Sequence, residues 1–177
     1  MRAFALAGVA AALAVTVAGC EQSREYAVPE RVCGVPVDPA VLAPLLPGGE
    51  QIADRSTDLG AGSGSCRVEV DNSTVLYLGH GVAPRDWDVL AEEGWKLANR
   101  GNPTPVAGVG KAAAVANDGA QASAECTYEG EPRLFVGFVG LERAEPVPEE
   151  IPARRDALVA FLKAWLPVAA TAAGCVA

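Results

Sequence analysis

The chain has 177 residues, half of them hydrophobic, with 14 Lys+Arg against 22 Asp+Glu and a formal net charge of −8. A field of that sign repels phosphate backbones and anionic headgroups, which argues against nucleic acid as a partner. The length suits one domain with a core of useful size.

Residues 1–19 carry a single charge at Arg2, then an apolar run from Ala3 to Ala18. That run is short for a membrane span and has the layout of a secretory signal peptide. It ends Val17-Ala18-Gly19-Cys20, which resembles a bacterial lipobox. The resemblance implies diacylglycerol on the Cys20 thiol, cleavage before Cys20, and a mature chain held at the outer face of the cell membrane. Residues 20–32 then read as the lipidated cysteine and a flexible tether: Glu21–Val32 is polar, contains Pro29 and shows no period. Twelve extended residues reach at most about 40 Å.

The domain is expected over residues 33–177. Asp38-Pro39 suits a helix start, with Asp as the cap and Pro in the first turn. Val41, Leu42, Leu45 and Leu46 supply an apolar face that Pro44 interrupts, so the helix should be short. Gly49–Ser65 has no sustained period and reads as a loop. Cys66–Asp71 alternates, with Cys66, Val68 and Val70 facing one way, and Asp71-Asn72-Ser73 turns the chain into a second strand, Thr74–Gly79. Arg85–Arg100 has helical spacing, with Asp86 as its cap, Gly101 at its end, and Trp87 on the apolar stripe. Trp95 lies off that stripe, and exposure there would point to a binding surface.

After a Pro-rich link come three more strands. Lys111–Ala116 is made of small residues, and Gln121–Tyr128 places Ala122, Ala124, Cys126 and Tyr128 on one face. Arg133–Leu141 is apolar on both faces and reads as a central, doubly covered strand. A last helix, Ala153–Leu166, sets Leu158, Phe161, Leu162 and Trp165 on one side, with Pro167 expected to end or kink it. Tight turns require antiparallel neighbours. The fold class is therefore α+β, a single domain in which an antiparallel sheet of about five strands is covered by three helices and held by two disulfides.

The four cysteines left after Cys20 support that last point. Cys33, Cys66, Cys126 and Cys175 are an even number in an exported chain, and none has the spacing of a zinc site. Cys66 and Cys126 point to the apolar side of their strands, Cys33 precedes the first helix and Cys175 follows the last. The pairing expected is Cys33–Cys66 with Cys126–Cys175; the rival is Cys33–Cys175 with Cys66–Cys126.

Motifs for chemistry are scarce. His80 is the single histidine and reads as a solvated residue at a strand end. No serine has the Gly-x-Ser-x-Gly surroundings of a hydrolase elbow. Gly60–Gly64 precedes a strand rather than a helix, and Gly110-Lys111-Ala112 lacks the first glycine and the hydroxyl of a phosphate loop. Glu69 with Asp71, and Glu125 with Glu129 and Glu131, are carboxylate groups on polar faces or turns, where solvated charge is the plain reading and calcium the sharper one.

Cys33-Gly34 before the Asp38-Pro39 helix, Cys66 in a strand, and Val106–Ala112 before a three-stranded meander resemble small actinobacterial extracytoplasmic lipoproteins of unknown function. Such proteins often carry Gly-x-Gly, an acidic residue and Ala at the last point, where this chain has Lys111. The resemblance implies an exported α+β domain and transfers no catalytic residue, cofactor or metal. The function expected is non-enzymatic binding of a partner protein, a cell-wall polymer or a small ligand. The alternatives are a carrier of an apolar ligand, and a hydrolase built from scattered carboxylates.

Overall fold

The computed structural model describes residues 23–176. Strands β1 (Arg31–Val32) and β2 (Val35–Pro36) form a small ribbon, followed by helix α1 (Pro39–Leu42) and a 3-10 turn over Ala43–Leu45. The Asp38 carboxylate caps α1 by accepting from the Ala40 N–H at 2.8 Å. Strands β3 (Ile52–Gly60), β4 (Ser63–Val70) and β5 (Ser73–Pro84) then form a meander. Helices α2 (Val89–Glu93) and α3 (Trp95–Ala98) lead to β6 (Thr104–Pro105), β7 (Ala112–Ala116), β8 (Gly119–Tyr128), β9 (Glu131–Leu141) and α4 (Ile151–Ala172). The main sheet has seven strands in the order β3-β4-β5-β9-β8-β7-β6, every neighbouring pair antiparallel.

The class is thus α+β, with seven main strands and four α-helices where about five and three were expected. One extra strand is β3, in the stretch read as a loop. Ala53–Gly60 is exposed on both faces, so no apolar alternation marks it. The others are the two-residue β6 and the β1–β2 ribbon. The expected helix Arg85–Arg100 is two short helices instead. Asp88, not Asp86, caps the first, accepting from the Leu90 and Ala91 N–H groups at 3.1 Å. That later start leaves Trp87 outside the helix and 38 % exposed, so it is not a core residue.

β9 occupies the centre, and Leu134–Leu141 is buried throughout. Successive side chains point to opposite faces. Phe135, Val139 and Leu141 meet one layer containing α4, α1 and the β1–β2 ribbon, in a core that includes Leu42, Leu158, Phe161, Leu162 and Trp165. Phe138 faces the other way, against Leu97 of α3 and Ala114 and Ala116 of β7. Pro167 does not end α4, which runs to Ala172. Proline removes the bond to the carbonyl four residues back. Here Pro167 and Lys163 both lie on the exposed face of α4, where an unpaired carbonyl costs least, while Ala169 and Ala170 continue the buried stripe.

Each pair of cysteines lies at disulfide distance: Cys33 with Cys66, Cα atoms 6.0 Å apart, and Cys126 with Cys175, 5.4 Å apart. These are the expected partners. The first joins the β1–β2 ribbon to β4, and the second joins the end of α4 to β8.

The folded region begins earlier than Cys33. The segment read as a tether is fastened to the domain from Ser23: the Gly49 N–H donates to the Ser23 carbonyl at 3.2 Å and the Glu25 N–H to the Gly49 carbonyl at 2.8 Å. The Arg24 guanidinium donates to the Ala43 carbonyl at 2.8 Å and to that of Leu46 at 2.5 Å. The Tyr26 hydroxyl reaches the Pro47 carbonyl, Tyr26 and Val28 pack on the core, and Val32 is buried within it. Cys20 and the stretch expected to be a signal peptide lie outside the described residues. Among those described, no helix is long and apolar enough to cross a membrane.

Candidate functional site

The two faces of the sheet are covered unequally. One is covered by α4 and its companions, apart from a smaller cleft of about 370 Å³ between the β3–β4 hairpin and the end of α4. On the other, α2 and α3 cover only the half made by β7, β8 and β9. The β4–β5 half stays open, leaving a groove of about 1090 Å³ between α3 and the β3–β4 hairpin. Trp95 stands on one rim, 64 % exposed, and Leu59 on the other, 67 % exposed.

The register shows why the floor is low. Three rows of residues cross this face. The middle row runs Thr57, Ser65, Gly79, Phe138, Gln121. The next includes Gly81, Val136 and Ser123. Gly79 and Gly81 both present a bare backbone to the groove, and a Cβ on Gly81 would already come within 3.1 Å of Ser63 Oγ. Hydroxyl residues and glycines thus line the hairpin side, whereas Tyr77 and Phe138, their rings 6.2 Å apart, line the floor towards α3.

The third row is cationic. Arg55, Arg67 and Tyr77 are successive cross-strand partners, and the row continues through Gly140 and Gly119. A Cβ on Gly140 would collide with the Arg100 guanidinium, and one on Gly119 with its side-chain stem. The two glycines therefore form a seat in which Arg100 lies over Phe138, 5.2 Å from the ring centre. Arg100 donates to the Leu141 carbonyl at 2.8 Å and the Asp118 carbonyl at 3.1 Å, and pairs with Glu142 at 2.5 Å. It is a wall of the groove with its donors already engaged.

The groove's carboxylates are likewise engaged. Glu93 accepts from Lys96 and from the fully buried Gln121, each at 2.7 Å. Glu142 meets Arg100, and Asp118 lies 2.9 Å from Arg154. Arg55 meets Glu69 at 3.2 Å. Arg67 differs: among the described residues it has neither an ion pair nor a side-chain hydrogen bond, although it lines the groove.

The residues singled out in the sequence do not assemble a catalytic or metal site, although His80 adjoins the groove. His80 is not at a strand end but within β5, opposite Gly137 and on the α4 side. Its ring stacks on Phe135 at 5.7 Å and covers Gly64. Burial pushes its pKa below the usual histidine value, with Asp58 opposing. Among the described residues its imidazole makes no side-chain hydrogen bond, so no Ser-His-Asp arrangement forms. Glu69 and Asp71 do not converge, since Asp71 accepts from the Glu50 and Gln51 N–H groups at 3.0 and 2.9 Å. Glu125 lies 3.7 Å from Lys111 and 3.9 Å from Arg85, while Glu129 and Glu131 are exposed in the next turn. One cluster of metal-ligand types occurs among the described residues, Cys33, Asp54 and Cys66. Its sulfurs are bonded to each other, and the Asp54 carboxylate accepts the Cys33 N–H at 2.7 Å.

Of the groove's lining, the sequence marks Trp95 as a surface signal, and His80 only as a strand-end residue. Gly79 and Gly81, two apart on a strand, are the readable signal for the floor, because alternation places both on one face. Comparison with known proteins adds nothing to this geometry: no family model, no curated protein and no solved structure matches the chain.

Proposed function

We propose that this chain is a membrane-anchored extracytoplasmic lipoprotein, acylated at Cys20, which acts by binding rather than by catalysis and holds its ligand in the groove between α3 and the β3–β4 hairpin. The observation that carries the reading is the half-covered sheet face, with a glycine floor and an exposed tryptophan on its rim. Open clefts with aromatic side chains and a few placed polar groups are the usual form of ligand sites. The anchor rests on the order of apolar run, small residues and Cys20. Two further observations favour binding over the alternatives. The space between β9 and α4, where an apolar ligand would travel, is filled by Phe135, Phe161, Leu162 and Trp165. Each carboxylate lining the groove has its own cation, which is a poor arrangement for a pair meant to exchange protons.

The test is photo-crosslinking in intact cells. With benzoylphenylalanine at position 95 the full-length protein should form a discrete adduct, and with the same group at Lys163, exposed on α4, it should not. Equal labelling from both positions, or none from position 95, would remove the groove as the binding site. The anchor has a separate test. Two acyl chains give stable attachment at about 0.8 kcal/mol per buried CH₂, so Cys20→Ser should release the protein into the medium or leave an unprocessed precursor. A variant that remained processed, lipid-labelled and membrane-bound would refute acylation at Cys20.

A further inference from the structure

The charge pattern of the groove narrows its ligand. Arg55 and Arg67 sit directly opposite each other on adjacent strands and on the same face. Like charges so placed repel and destabilise a sheet. Glu69 neutralises Arg55 and leaves Arg67 alone. The side chain on the other flank of Arg67 is Tyr77, which carries no opposing charge, and Arg100 lies further along the same row, over Gly140. Every carboxylate in the groove is already matched, so the residual charge there is the single cation of Arg67, in a chain whose net charge is −8. An anion seated at Arg67 offsets the charge that Glu69 leaves unmatched and engages a guanidinium that no described residue of the chain engages. Carboxylate suits it best, because the planar fork donates two parallel hydrogen bonds to that group.

What carries the carboxylate is set by the rest of the groove. A ligand reaching from Arg67 to the α3 rim meets Tyr77, Asn99 and Trp95 along its way. Trp95 offers a broad exposed face, with the Lys96 ammonium 5.9 Å from its ring centre. A flat aromatic surface beside hydroxyl and amide groups matches a pyranose ring, which has an apolar C–H face and a belt of hydroxyls. The groove is also an open cleft along the sheet, so a polymer lies through it without needing an end to enter.

Resting on the groove as the binding site, we infer that its ligand is an acidic glycan, with a sugar carboxylate held by Arg67 and a neighbouring ring stacked on Trp95. Detergent-solubilised full-length protein is titrated calorimetrically with three probes: a uronic-acid trisaccharide, the same trisaccharide with its carboxylates reduced to alcohols, and a glutamate peptide of equal charge. The uronate should bind at least tenfold tighter than either of the others. Arg67→Gln should abolish that preference, leaving the uronate no tighter than the reduced sugar, with a thermal midpoint no lower than that of the wild type, since the repulsion with Arg55 is relieved. Trp95→Ala should weaken both sugars tenfold or more. Equal binding of the reduced sugar overturns the carboxylate contact, equal binding of the peptide overturns the glycan in favour of an acidic peptide, and failure of the uronate to bind overturns the inference outright. In that last case a crosslink from position 95 in cells would leave the groove standing as a site for something else.

Discussion

Arg154 offers the sharpest test of how the two halves of the fold are joined. It is 6 % exposed, at the start of α4. Its Nε donates to the Asn117 carbonyl at 2.9 Å, and its Nη1 to the carbonyls of Pro148 and Glu149 at 2.8 and 3.0 Å. The Asp118 carboxylate lies 2.9 Å from Nε. One side chain thus ties α4 to the β7–β8 turn and to the loop preceding the helix. Arg154→Met keeps the packing of the stem and removes every polar contact. Breaking a buried pair by removing one partner costs about 3–5 kcal/mol. The Asp118 side chain is 36 % exposed as a whole, but the Oδ1 that faces Arg154 is buried, which puts the expected loss at no less than the lower end, about 3 kcal/mol. In a domain of this size that lowers the melting midpoint by roughly 6–12 °C. Urea unfolding followed by tryptophan fluorescence, with an unchanged slope, measures it directly. Arg154→Lys should recover only part, because one ammonium cannot serve carbonyls on two separate loops. A loss under about 1 kcal/mol for the Met variant, or full stability in the Lys variant, would refute this account.

Two other outcomes follow from the same structure. Because burial holds the His80 pKa below its unfolded value, the unfolded chain binds more protons as pH falls through the usual histidine range near 6.5. Stability carried by the neutral ring is therefore present at pH above that value and lost as pH drops towards the lower folded pKa. His80→Gln should flatten the change in urea midpoint across this window, and an identical slope in wild type and variant would exclude the residue as its source. Removing the Cys126–Cys175 bridge as a double alanine variant opens a loop with 49 residues of sequence separation and should cost about 4 kcal/mol in the chain-entropy description. A calorimetric loss below about 1 kcal/mol would show that the ends of α4 and β8 stay together without it.

The parts of the fold legible in the sequence are those where a face is buried. Cys66, Val68 and Val70 alternate because one side of β4 meets the core, and 134–141 is apolar throughout because β9 is covered twice. β3 carries no such mark. It is an edge strand whose neighbour is β4 alone, so its place depends on backbone pairing, to which any side chain contributes equally. The start of the domain was hidden for a related reason: residues 23–32 are held by carbonyls, Arg24 and a few scattered apolar side chains, which produce no period. Pro167 does not mark the end of α4, because a helix tolerates proline on its exposed face. The groove was the least legible element. It is made by what is missing, two glycine side chains and a helix too short to cover the sheet, and only Trp95, off its apolar stripe, signalled an unoccupied surface.

The fastening of residues 23–32 has a mechanical consequence. If the chain is held in the bilayer at Cys20 and in the wall through the groove, tension enters the domain at Ser23. The first things to yield are the hydrogen bonds to Gly49 and those of Arg24 and Tyr26, which can peel one after another. Peeled up to the β1–β2 ribbon and the buried Val32, the eight residues 23–30 span at most about 29 Å. The pull then arrives at Cys33, and its disulfide hands the load across to Cys66, on the same strand as Arg67 and next to it. Beyond that point force runs through a covalent link and the paired strands of the sheet, bypassing α1 and the 3-10 turn. On that premise the segment would act as a breakaway leash in front of a fixed stop, letting the two attachment points separate by at most about 30 Å before the sheet itself is strained.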